Sequence, residues 1–108
     1  MVGTMKAYVG VYTARLEMPW VRSLKEKRAL VRPVMERLKA RFPVSAARLG
    51  GLDAHGWEIV GFTVIGSDPA WIEQIIQQAA TFLSQNGAYH VCAEQVFVEA
   101  VELEAHTN

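Results

Sequence analysis

The chain has 108 residues, about half of them apolar, and its 11 bases and 11 acids cancel to a formal net charge of zero. That length suits one domain with a core of its own. A lone cysteine, Cys92, excludes an intramolecular disulfide, and no apolar run approaches the roughly 20 residues that a bilayer span needs. No charged segment followed by an apolar stretch opens the chain, so a cytoplasmic protein is expected, with no membrane partner. The neutral total hides a split. Every Lys and Arg lies between Lys6 and Arg48, so residues 1–48 hold eleven bases against three acids (+8) and residues 49–108 hold eight acids and no base (−8). Eight of the bases fall within the twenty residues from Arg22 to Arg41, an electrostatic footprint that suits a polyanion or an acidic protein surface.

Residues 6–18 alternate, with Tyr12, Ala14, Leu16 and Met18 on one face and Thr13, Arg15 and Glu17 on the other, which predicts a strand ended by Pro19. Ser23 followed three positions later by Glu26 has the form of a capping box, and a helix is predicted from there to about Arg41. Its core stripe is an arc about 100° wide formed by Leu24, Val31, Val34, Met35, Leu38 and Phe42. Pro33 removes one helical hydrogen bond and is expected to kink that helix or split it after Arg32. Residues 44–49 predict a second strand, and the Gly-rich segment 50–56 a turn. Residues 57–66 are apolar on both faces, as in a strand covered on both sides. Asp68-Pro69 opens a second helix with Trp71, Ile72, Ile75, Ile76, Ala79, Phe82 and Leu83 on one face and a stop at Asn86-Gly87. Residues 88–103 predict a closing strand, and a tail from 104 to 108 is expected to fray.

Strand, helix, strand, strand, helix, strand is the α+β ferredoxin-like plan, a βαββαβ split sandwich spanning residues 1–108 as one domain, its antiparallel sheet carrying two helices on one face. The plan leaves the other sheet face open. Val9, Val11 and the outer face of the third strand are too apolar to leave wet, so a homodimer through sheet face or edge is expected.

The stretch from Tyr8 to Leu49, with Pro19, Ser23-Leu24-Lys25-Glu26-Lys27-Arg28, Arg41-Phe42 and Val44-Ser45 as its most specific parts, resembles the YlxP-like family of small bacterial proteins of unknown function. Gly61 and Ser67-Asp68 support the likeness. The resemblance implies a ferredoxin-like fold and gene company with ribosome-maturation and translation factors, hence an RNA or ribosomal-particle partner. It implies no activity. The sequence departs from the family pattern in the loop Gly50, Gly51, Leu52, Ala54, His55, Gly56 and at Pro33.

On the helical wheel Lys25, Arg28, Arg32 and Lys39 fall within about 60° of one another, beside the apolar arc. Such a stripe suits phosphates: Arg forks bind their oxygens bidentately and Lys acts as a point charge. The competing reading is a solvated face, with Glu26 pairing Arg28 to Arg32 and Glu36 pairing Lys39. Lys27 lies inside the apolar arc, where it is expected to snorkel outward; alternatively Lys27, Arg22 and free N–H groups at the helix start form an anion site. The candidate phosphate-binding set is therefore Arg22, Lys25, Lys27, Arg28, Arg32 and Lys39.

His90, Cys92 and Glu94 alternate along one strand and so are expected to share a face, raising either a metal site or a thiol nucleophile with its base. Ligands about 7 Å apart at successive steps are too spread for one zinc ion unless the strand bends, however, and a free cysteine is most often a small buried hydrophobe. No metal or cofactor is expected, and no phosphate loop, nucleophile elbow or helical zinc motif argues for an enzyme. Gly10 and Gly61 are read as sites of close packing. Of the tryptophans, Trp71 is expected in the core, while Trp20 and Trp57 are better placed for stacking on bases.

The leading reading is a noncatalytic RNA- or ribosome-associated module whose first helix contacts phosphates. The competing one is a homo-oligomeric assembly domain in which that helix meets the acidic closing strand (Glu94, Glu99, Glu102, Glu104) of another subunit. A small-ligand regulatory domain is third.

Overall fold

The structure is a computed structural model describing residues 2–106. Its elements are β1 (Val2–Glu17), α1 (Leu24–Arg41), β2 (Ser45–Gly50), β3 (Trp57–Gly66), α2 (Pro69–Ser84) and β4 (His90–His106). The strands form one antiparallel sheet in the order β2-β3-β1-β4 with both helices on one face, the ferredoxin-like arrangement. Between sheet and helices lies the core: Tyr12, Ala14 and Leu16 of β1 and Val60, Phe62 and Val64 of β3, facing Val31, Val34 and Leu38 of α1 and Ile72, Ile76 and Leu83 of α2, are all buried. Each large apolar side chain so buried contributes about 1.5–3 kcal/mol.

Both helices begin where their capping residues dictate. Ser23 Oγ accepts from the Glu26 N–H at 3.1 Å, as in a capping box, and Glu26 Oε2 reaches back one residue past the cap to accept from the Arg22 N–H at 3.1 Å. In α2, Asp68 Oδ1 accepts from the Ala70 N–H at 3.0 Å and Pro69 occupies the first turn. Pro33 does not split α1, which runs unbroken for 18 residues. Its ring points to solvent, and the single hydrogen bond it removes is outweighed by the packing of Val31, Val34, Met35 and Leu38 on either side. Gly10 lies under α2. A Cβ there would stand 2.6 Å from Ile76 Cδ1 and 2.7 Å from Ile72 Cγ2, so glycine lets the helix settle onto the sheet.

The first and last strands run further than the alternation suggested. β3 pairs with β1 only from Tyr8 to Glu17, whereas Val2 to Ala7 continue in register with Val101 to His106 of β4. This two-stranded ribbon projects past the helices and draws the molecule out to 60 × 23 × 23 Å. The predicted fraying from 104 onward meets a strand that continues to His106; residues 107 and 108 lie outside the described residues.

β4 also carries an irregularity that the sequence did not announce. Thr13 pairs with Gln95 and Arg15 with Cys92, so two residues, Ala93 and Glu94, oppose Ala14, and Ala93 has φ 50°. A bulge of this kind switches the strand's alternation. Cys92 stands opposite Arg15 on the open face, while Glu94 turns to the helix side and accepts from Tyr12 Oη at 2.6 Å. The expectation that His90, Cys92 and Glu94 share a face is therefore corrected.

Candidate phosphate-binding face

The helical period of α1 turns Val31, Val34, Met35 and Leu38 inward and leaves Lys25, Arg28 and Arg32 exposed together on one flank of the helix. With Ala29 and Pro33 these three bases line a shallow concavity of about 320 Å³. Arg41, on the opposite flank, stacks on Phe42 and on Phe82 of α2 at 5.7 and 5.4 Å, so the three-base stripe lies on the side of α1 away from α2.

Pairing decides which bases remain available. Lys39 Nζ lies 2.8 Å from Glu36 Oε1, as expected from their spacing. The expected pairing of Glu26 with Arg28 to Arg32 is absent, because Glu26 is committed to the Arg22 N–H in the capping box. Among the described residues, Lys25, Arg28 and Arg32 have no carboxylate within ion-pair distance. Arg22 is exposed just before the helix, and two N–H groups there, its own and that of Glu26, are already taken by Glu26 and Ser23.

Lys27 is the clearest departure from the expected set. Instead of snorkelling outward it is fully buried, its ammonium donating to the carbonyls of Gly51 (2.7 Å), Ala54 (2.5 Å) and Trp57 (3.1 Å) and lying 3.2 Å from Glu58 Oε1. Arg48 completes the group, its Nε and Nη2 gripping Glu58 Oε2 and Oε1 at 2.7 and 2.6 Å. Bidentate pairing holds the Arg48 guanidinium even more firmly in its charged form. Lys27 is thus withdrawn from any phosphate site. It pins the 51–57 loop, whose shape also needs Gly51: at φ 69° a Cβ there would meet the Trp57 ring at 2.5 Å. The network joins bases of the first half of the chain to an acid of the second, so part of the charge split is neutralised internally.

Several other polar side chains are engaged within the fold. Burial and the Glu94 hydrogen bond push the Tyr12 phenol far above its ordinary range, keeping it a neutral donor. Tyr89, pushed up to about 12 by burial, donates to the Leu83 carbonyl at 2.8 Å and fastens the end of α2. Cys92 Sγ donates to Glu17 Oε1 at 3.3 Å, and desolvation and that carboxylate raise its pKa, the opposite of what activates a thiol nucleophile. Trp57 carries the Arg15 guanidinium 4.4 Å above its ring. Trp20 is exposed, and Trp71, expected in the core, lies at the exposed edge of α2 against Gly66.

Residues 9–96 match the family model of DUF503, described as a protein of unknown function. The chain belongs to the DUF503 family. Curated proteins offer no match. Among solved structures, a similar one is the de novo designed protein Foldit4, with 15% identity over 89% of this chain and 96% of that chain at a TM-score of 0.43; so distant a likeness bears no argument about function.

Proposed function

We propose that this DUF503 protein is a noncatalytic RNA- or ribosome-associated binding module that lays the outer flank of α1 on phosphates. The observation that supports this reading is the alignment of Lys25, Arg28 and Arg32, exposed, unpaired with any described acid and gathered around one concavity. Arg28 and Arg32 supply forked donors to phosphate oxygens, and Lys25 adds a mobile charge. Arg22 and Lys39 flank the site, the latter shared with Glu36. Contacts of this type position a nucleic acid without reading its bases. The YlxP-like resemblance supports the same partner class, and the location proposed with it is the cytoplasm.

The assembly reading, in which α1 meets the acidic strand of another copy, draws less support. Glu94 is taken by Tyr12, and Glu99, in register with Val9, lies on the open face while Glu102, in register with Lys6, lies on the other. Those acids do not form one surface.

Titration of a single-stranded RNA 20-mer by fluorescence anisotropy tests the proposal. With three phosphate contacts, log affinity is expected to fall against log salt with a slope of about −2 to −3. Absence of binding at low salt, or affinity indifferent to salt, would overturn it.

A further inference from the structure

We infer that the open face of the sheet is the seat of a second copy of this chain, packed face to face with the β1–β4 ribbon included. The face carries exposed apolar side chains from β2 across to the ribbon. Ile65, Phe97, Leu49 and Met5 are 67, 59, 55 and 54% exposed there, and Leu103 at 42% continues the patch along the ribbon. Their common side follows from register: Met5 stands opposite Leu103, Val11 opposite both Thr63 and Phe97, and Val9 opposite Ile65. Near the middle, Val11, Ala47, Leu49 and Gly61 frame a small apolar hollow of about 190 Å³, and a Cβ on Gly61 would meet Leu49 Cδ1 at 2.8 Å.

Charge argues for a copy over a nucleic acid. Among the described residues the one guanidinium on this face, that of Arg15, lies over Trp57 and beside Glu17, and Glu99 adds a negative charge. With that one cation paired and an acid beside it the face offers a polyanion no free positive charge, whereas its apolar side chains can pack against their own copies. Area agrees. Strands of 16, 6, 10 and 17 residues, at ~3.3 Å per residue and ~4.8 Å per strand, present about 780 Å², close to the ~800 Å² per partner that a specific interface buries. The ribbon supplies a further reason: two strands standing alone are marginal in water, and here one side gains cover by lying across the partner's β3 and β2. In such a dimer both α1 stripes face outward, so the inference does not depend on what α1 binds.

Light scattering coupled to size exclusion, at tens of micromolar protein, tests it with three variants. The unaltered chain is expected to elute as a dimer, and Ile65→Glu and Phe97→Glu each as a folded monomer by circular dichroism. Val96→Glu, on the same strand but turned to the helix side, is expected to leave the dimer intact. A monomeric parent chain would overturn the inference. So would a dimer that survives both Ile65→Glu and Phe97→Glu, which would point to pairing through the β4 edge or the helices.

Discussion

Replacing Lys27 by alanine is expected to destabilise the protein by about 3–5 kcal/mol, the largest effect of any single substitution considered. Two losses combine. The Glu58 carboxylate, fully buried, keeps only Arg48 as a partner, and an incompletely compensated buried charge costs far more than a surface pair gains. The carbonyls of Gly51, Ala54 and Trp57 lose their shared donor at the same time; Gly51 keeps the Ala54 N–H, but a carbonyl left with no donor carries a desolvation cost. A chain of this size loses roughly 4–8 °C of Tm per kcal/mol, so thermal melting should fall by at least about 12 °C. Lys27→Met should fall almost as far, although it restores packing volume, because charge and donors are what the site needs. A Lys27→Met variant that melts within about 3 °C of the parent would mean that the network is dispensable.

The second large effect concerns α1. Arg28→Glu combined with Arg32→Glu is expected to weaken RNA binding by at least about a hundredfold at ~50 mM salt, since each phosphate contact contributes roughly a decade of affinity there through counterion release. The salt slope should flatten by about 2. Both side chains are exposed and without ion pairs to the described residues, so stability should change by no more than about 0.5 kcal/mol per site. Arg37→Glu, also on α1 but outside the stripe, serves as the control and should lower affinity only modestly. Equal losses from the control and the double variant would show that net charge, not the stripe, governs binding.

The order of elements was legible because each carries its own signal: period-2 alternation in β1, capping residues at both helices, and a doubly apolar run in β3. The stripe was legible from the wheel, as were the capping-box role of Glu26 and the pairing of Glu36 with Lys39; what the sequence left undecided was whether Glu26 would also pair with Arg28 to Arg32, which it does not. The buried network left a trace that a closer reading could have used. Lys27 sits in the apolar arc of α1 and Glu58 sits in the apolar strand β3, two opposite charges at positions reserved for the core. Each alone invites a snorkelling reading; together they specify a partner. Snorkelling failed for Lys27 because the 51–57 loop closes over it with converging carbonyls, a tertiary contact that no local pattern encodes. The bulge at Ala93 gave no signal at all, because neither glycine nor asparagine marks the positive φ. It nevertheless moved Glu94 to the other side of the sheet and dissolved the apparent His90, Cys92, Glu94 row. Pro33 misled in the other direction, since a helix packed on both sides of a proline need not break.

The central claim, that α1 holds the protein to an RNA-containing partner by charge, is tested most directly by sedimenting a cell lysate through sucrose gradients at low and high salt. At low salt the unaltered chain is expected to travel with ribosomal particles, at high salt to remain with free protein, and the Arg28→Glu/Arg32→Glu variant to remain with free protein at both. If the unaltered chain stays at the top of the gradient at low salt, or if the double variant travels with the particles as the parent does, the account is contradicted.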